Sequence, residues 1–258
     1  MFALDKWYLD LVTDLGTVLV GYAVECRIGP ARFRYASLLH ASHDRPATER
    51  TTLRDVRFPA LDGDVLRWNI PALRFEGAWE RTAAPIGKTL LDAARGRIEW
   101  DCCVPRARVT ARLDGAAVAG LGYAERLHLT CLPWQLPFST LRWGRHVSES
   151  GGAVWIEWDG DLDRRWIWLD GREQPVALLD SDGITQCAGQ GGLRLMDRRI
   201  VLDRQVLESV GRVLPAAIRD RFGPLAGMRE QKWLSRSVLR RDDGIVDRGW
   251  TIHEEVRW

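Results

Sequence analysis

The sequence is poor in lysine and methionine, has few cysteines, and has no long apolar run. Lys6, Lys88 and Lys232 are its only lysines among 37 basic residues, so nearly all of its positive charge is arginine. The five cysteines (Cys26, Cys102, Cys103, Cys131 and Cys187) are odd in number and irregular in spacing. That argues against a disulfide framework, and the vicinal Cys102-Cys103 pair is not a C-x-x-C motif. No stretch of about 18 apolar residues is present to cross a membrane as a helix. The N-terminus has no apolar signal stretch, and its sixth residue is already Lys6. A reducing cytoplasm is the expected location. A net charge of +2, with acidic and basic residues interspersed, gives no reason to expect a nucleic-acid partner.

What is present suits a packed core. Hydrophobic residues make up 46% and charged residues 28% of the 258, enough for one large or two small domains. Thirteen tryptophans run through the whole length. Tryptophan is a large side chain with one donor, so it fills cores and lines ligand pockets.

Asp-Gly pairs occur at 62-63, 114-115, 159-160, 170-171, 182-183 and 243-244. Both residues tolerate positive φ, so such pairs favour hairpin turns. Runs such as Leu66 to Ile70, Arg164 to Leu169 and Ile245 to Trp258 flank them with β-branched and aromatic residues. Helical spacing is confined to two places. Residues 203–222 carry Val206, Leu207, Val210, Val213, Leu214, Ile218 and Phe222, with Asp203 as a candidate cap and Pro215 as a kink or the start of a second short helix. A second short helix is expected around Lys88 to Ala94.

The chain also echoes itself. ARVTARLDGAAVAGLGYAE at 107–125 and RSVLRRDDGIVDRGWTIHE at 236–254 share a strand, an Asp-Gly turn, a second glycine, an aromatic residue and a glutamate. The second glycines are Gly122 and Gly249. A weaker echo links Trp7 to Asp10 with Trp155 to Glu157. These repeats predict two similar β domains, 1–148 and 149–258.

Strand faces alternate with period two. Tyr123, Glu125, Leu127 and Leu129 share the more apolar face after Gly122, which places Glu125 inward. Trp250, Ile252, Glu254, Val256 and Trp258 do the same for Glu254. Trp143 and Arg145 share a face of what reads as the next strand, so Arg145 is a candidate partner for Glu125. Tyr8 and Asp10 share a face near the N-terminus, with Trp7 on the other. An inward acid must be paired, hydrogen-bonded or protonated. The structural reading is a Glu125–Arg145 ion pair. The functional one is a polar cluster that holds or protonates a ligand.

Other motifs carry less. Ile86-Gly87-Lys88-Thr89 ends like a phosphate loop but has Thr82 where the pattern needs glycine. Gly189 to Gly192 reads as a loop or bulge. His40, His43 and Asp44 lack a further ligand, so no metal is expected.

Trp7-Tyr8-Leu9-Asp10 with Thr13-Asp14-Leu15-Gly16 resembles the opening W-Y-x-D…D-x-G segment of the carotenoid hydratase (hydroxyneurosporene synthase) family. Gly120 to Glu125 resembles its G-x-G-Y-x-D/E segment, and Leu141 to Arg145 its W-x-R strand. Tocopherol cyclases and decalin-forming Diels–Alderases are related. The resemblance implies two lipocalin-like antiparallel β-barrels or half-barrels, with one or two short helices. It implies cofactor-free hydration, cyclisation, isomerisation or pericyclic closure of an isoprenoid or polyene. Glu125 matches the family's candidate proton donor, and glutamate stands here where aspartate is usual. Asp10 is the alternative donor and Tyr123 its neighbour. Arg145, Trp143, Trp134, Tyr8, Trp7 and Glu254 are the candidate substrate-binding residues. The expected partner is a small lipophilic molecule, collected by peripheral contact with a membrane where needed. A non-catalytic carrier and a pericyclase working by shape are the alternatives.

Overall fold

A computed structural model describes residues 1–175, 178–180, 183–185, 192–206, 223, 225, 227–241 and 244–258. The chain divides into two units, Met1–Gln135 and Leu136–Trp258.

The first unit holds β1 (Phe2–Val12), β2 (Val18–Ile28), β3 (Ala31–Ala41), β4 (Thr48–Thr52), β5 (Ala60–Asp62), β6 (Val65–Ile70), β7 (Phe75–Arg81), β8 (Ile86–Ala93), β9 (Gly96–Leu113) and β10 (Ala116–Leu129). All pair antiparallel in the order β4-β3-β2-β1-β10-β9-β7-β6-β5, with β8 beside β9. The second unit holds β11 (Thr140–Val147), β12 (Gly152–Asp159), β13 (Arg164–Leu169), β14 (Arg172–Glu173), β15 (Leu178–Asp180), β16 (Gly183–Thr185), β17 (Gly192–Gln205), β18 (Arg229–Arg240) and β19 (Val246–Arg257). Their order is β14-β13-β12-β11-β19-β18-β17-β16-β15. In both units the first strand therefore pairs with the last.

The turns follow the dipeptides. Asp114 and Gly115 have φ of 53° and 87°, and Asp170 and Gly171 have 49° and 79°. Two positive φ values in succession turn β9 into β10 and β13 into β14 with the twist that hairpins favour.

Each sheet curls on itself. In the first, a Cβ at Gly21 of β2 would fall 2.3 Å from the Trp68 ring of β6, so glycine lets the two ends of the sheet meet. Leu9, Leu11, Ala36, Trp68, Trp79 and Ala124 belong to the core enclosed by this curl. In the second, Trp155 and Ile167 of β12 and β13 cluster with Leu193 and Leu239 of β17 and β18. Two curled antiparallel sheets are the lipocalin-like pair that the sequence predicts.

Three expectations change. The break falls after Gln135, not at 148, because β11 pairs with β12 and β19. Trp143 and Arg145 thus belong to the opening strand of the second unit. Residues around Lys88 to Ala94 form strand β8 rather than a helix. A register shift between Thr89 and Leu91 buries Leu90 and Leu91 together, and two adjacent buried leucines imitate helical spacing. It also puts Gly87 and Lys88 in a strand instead of a phosphate loop. Asp203 lies within β17, so it does not cap a helix, and residues 207–222 lie outside the described residues. Most of the 189–192 glycine run does as well.

Candidate active site

The candidate residues of the first unit meet through strand register. β1 and β10 pair so that Tyr8 lies opposite Glu125 and Asp10 opposite Tyr123. β2 adds Tyr22 opposite Tyr8. β9 adds Trp100 and Cys102 beyond β10. Period-two alternation puts all of these on one face. The curl closes on the other face, that of Leu9, Leu11 and Ala124. Glu125 is thus not inside the curl, as its alternation with apolar neighbours suggests. The face that carries it is nevertheless buried: Tyr8, Asp10, Tyr22, Trp100, Cys102 and Tyr123 are each no more than 5% exposed, and Glu125 is half-buried.

Two donors converge on one oxygen of Glu125. Trp100 Nε1 donates to Oε2 at 2.5 Å and Tyr123 Oη donates to the same atom at 2.6 Å. A proton on this carboxyl therefore belongs on Oε1, since Oε2 already accepts twice. Burial pushes the Tyr123 hydroxyl well above its ordinary pKa, and the neighbouring Cys102 and Glu125 push it further. Tyr123 therefore stays a donor. Burial likewise raises the Cys102 thiol, against a lowering hydrogen bond to Tyr123, so Cys102 stays neutral.

Aromatic rings surround the acid. Tyr8 meets Tyr22 edge-on at 5.5 Å between centroids, and Tyr123 at 6.1 Å. Lys6 Nζ lies 5.0 Å from the Tyr22 centroid, so one of these rings already faces a cation. The Asp10 carbonyl accepts from Trp79 Nε1 at 2.7 Å, which ties β1 to the core. Among the described residues no cluster of His, Cys, Asp and Glu has the make-up of a metal site. No described helix is long and apolar enough to cross a membrane.

The remaining candidates are on other faces or strands. Trp7 is on the opposite face of β1 and packs on the core. Trp134 is half-buried in a 3-10 turn, Pro133–Gln135. Trp143, Arg145 and Glu254 share a face of the second sheet. Arg145 therefore does not sit on the strand next to Glu125, whose neighbours are β1 and β9. It donates to the Trp250 carbonyl at 2.9 Å. Glu254 bonds to Lys232, which is fully buried, lies 3.6 Å from Glu230 and sits 5.9 Å from the Trp143 centroid. Sequence reasoning missed Trp100, Tyr22 and Lys232. Alternation around Glu125 and Glu254 shows the acids but not the strands that come to lie beside them.

A cleft of about 570 Å³ on β6, β7, β9 and β10 runs past Asn69, Glu76 and Arg112. It lies farther along these strands than Glu125.

No protein-family model matches the chain, and comparison with curated proteins finds no relative by sequence. Solved structures do match over nearly the whole length. CghA aligns with a TM-score of 0.56 at 12% identity, over 99% of this chain and 88% of its own. CghA solved with Sch210972 gives 0.55 at 11% over the same shares. Kievitone hydratase from Nectria haematococca gives 0.54 at 10%, over 98% and 88%. A protein of Nitrosomonas europaea assigned as an AttH gives 0.54 at 12%, over 99% and 91%. At these identities what is shared is the fold, and it is the two-unit lipocalin-like fold of the hydratase and Diels–Alderase group that the sequence resembles.

Proposed function

We propose that the protein is a cofactor-independent enzyme acting on a small lipophilic substrate, an isoprenoid or polyene, with Glu125 as the proton donor. The observation that carries this is the pair of donors, Trp100 and Tyr123, fixed on one oxygen of a carboxyl in an aromatic, buried face. Glu125 Oε1 gives its proton to an alkene carbon, and the other alkene carbon becomes a carbocation. The faces of Tyr8 and Tyr22 stabilise that charge. For hydration, water adds to the cation and the resulting oxonium gives its extra proton back to Glu125. For cyclisation, an internal double bond adds and a C–H beside the new cation gives its proton to Glu125. For isomerisation, a C–H beside the first cation does so. Asp10, on the same face, is the second carboxyl able to serve. Kievitone hydratase, of the same fold, supports hydration among these outcomes.

The test incubates the protein with acyclic isoprenoids and polyenes in D₂O and follows products by mass. Proton-initiated chemistry fixes one solvent deuterium on carbon, and hydration also adds the mass of one water. Glu125→Gln should lower turnover by about 10²–10⁴-fold. A product without solvent deuterium, formed equally fast by Glu125→Gln, would mean closure by shape alone. A ligand bound but returned unchanged would mean a carrier.

A further inference from the structure

The inner face of the second unit is polar where the first unit is not. Gly122 and Gly249 give the alignment, because each precedes an aromatic residue, Tyr123 and Trp250, in its unit's last strand and has its Cβ position against a first-strand carbonyl: 2.3 Å from Asp10 O and 2.1 Å from Val147 O. Strand pairing then matches Leu9 with His146, Ala124 with Thr251, Val104 with Ser235 and Ala107 with Ser237. The four residues of the first unit are fully buried in its apolar core. This fold therefore closes well with aliphatic groups at all four places. The second unit buries His146, Ser235 and Thr251 at 0% exposure and Ser237 at 1%. Hydrogen-bonding groups cost free energy when taken out of water. A cluster of them where the same fold accepts alanine, valine and leucine is a built polar site.

Three of the four are linked. Thr251 Oγ1 donates to Ser237 Oγ at 2.7 Å, and Ser237 Oγ lies 2.8 Å from His146 Nδ1. Ser237 Oγ is also 3.4 Å from the Gly249 carbonyl. This occupies one nitrogen of the imidazole. The other, Nε2, is buried and has no hydrogen-bond partner among the described residues. A Cβ at Gly249 would fall 2.8 Å from His146 Cε1, so the glycine gives the ring its place. The same face carries an apolar cluster of Trp155, Ile167, Leu193 and Leu239, beside buried His253 and the buried acids Asp247 and Glu157, which are ion-paired to Arg241 and to Arg142 and Arg165.

We propose that the inner face of the second unit binds a small lipophilic alcohol or phenol, whose hydroxyl pairs with His146 Nε2. A hydroxyl donates and accepts, so it completes Nε2 in either tautomer. The apolar wall takes the remainder of the molecule. An anion is poorly matched, because burial holds the imidazole neutral, with its pKa pushed down to about 3, and Arg145 adds to this against Asp247. The site is built from residues of the second unit alone.

The test uses the full chain with 2-naphthol and with naphthalene, which differ by one hydroxyl. Tryptophan fluorescence reads binding, and histidine-selective ¹⁵N NMR reads Nε2. The expected result is a preference for 2-naphthol of about tenfold or more, the ratio that about 1.4 kcal/mol gives, with a shift of the His146 Nε2 resonance. His146→Leu restores the residue type of Leu9 and should fold while losing the preference. Ser237→Ala, the type of Ala107, should weaken it and covers the case in which His146→Leu does not fold. Glu125→Gln should bind 2-naphthol as the native chain does. Equal binding of the two probes, binding of neither, an unmoved Nε2 resonance, or loss of binding in Glu125→Gln would each overturn the proposal.

Discussion

Tyr123 is the residue on which the chemistry of Glu125 turns. Its hydroxyl is fully buried and stays protonated over the working pH range, so it adds no titration of its own. A donor to a carboxylate favours the charged form. Tyr123→Phe removes one of the two described donors on Oε2 and makes the carboxyl hold its proton more tightly. An acid that works in its protonated form loses rate as pH rises through its pKa. In Tyr123→Phe that fall should move to higher pH. On the low-pH plateau, where the carboxyl is protonated in both proteins, the rate should drop about 10–100-fold if the lost bond is worth the ~1.5–3 kcal/mol of one to a charged group. A pH–rate profile of the two proteins reads both effects, and coincident profiles would remove Tyr123 from the mechanism. Period-two alternation is local, so the Tyr8–Asp10 and Tyr123–Glu125 pairs were legible, whereas their meeting depends on the pairing of β1 with β10. Trp100 was not legible, since it reaches Glu125 through the pairing of β9 with β10. Arg145 is not on the strand beside Glu125 for the matching reason, that successive strands β10 and β11 belong to different sheets.

At the scale of the element, the close approach of first and last strands decides the fold, and Gly122 shows how narrowly. A Cβ there would lie 2.3 Å from Asp10 O, 2.6 Å from Val109 Cγ2 and 3.0 Å from Trp79 Nε1. Those last two atoms hold the core and the Trp79–Asp10 bond, so none can retreat cheaply. Gly122→Ala should cost about 1–3 kcal/mol as an overpacked core position. Gly87 on β8 is the control, since its Cβ would meet only Asp101 Oδ1 at 3.4 Å. Gly87→Ala should be neutral or gain about 0.5 kcal/mol. Urea denaturation ranks the two, and equal midpoints would refute the steric account. The Gly122–Gly249 match was readable from the repeat of turn, glycine and aromatic residue. The weaker echo between Trp7 and Trp155 was not a true one, because β1 corresponds to β11 whereas Trp155 lies on β12. The first and last strands of a unit meet across more than a hundred residues, a non-local pairing that local patterning does not contain.

For the whole molecule, acid should act unevenly on the two units. Burial drives His146 and His253 down to about 3, with Arg145 reinforcing the first and Arg198 and Lys232 the second. A histidine neutral in the fold and ordinary when unfolded stabilises the fold fully above its unfolded pKa of about 6.5. That stability is lost as pH falls from there towards 3. Both residues lie on β11 and β19 of the second unit. In the first unit His40 is lowered in the same sense by burial and by Arg45 and Arg50, but less far. The first unit has other acid-sensitive groups, which respond later. Burial raises Asp5 and Glu25, yet hydrogen bonds from Arg126 and His128 to Asp5, and from Arg32 and Arg34 to Glu25, outweigh it. Carboxylates held low in this way give up their stabilisation only as pH falls below about 4. Between pH 7 and pH 5 the loss should therefore concentrate in the second unit. Hydrogen exchange, corrected for its intrinsic pH dependence, should show β11, β18 and β19 losing protection on that change while β1, β9 and β10 keep theirs. His146→Leu should remove much of the difference, since leucine has no proton to gain. Equal loss in both sheets, or none in β19, would mean that these imidazoles find compensating partners when charged, and that the second unit's interior is more open to water than its burial indicates.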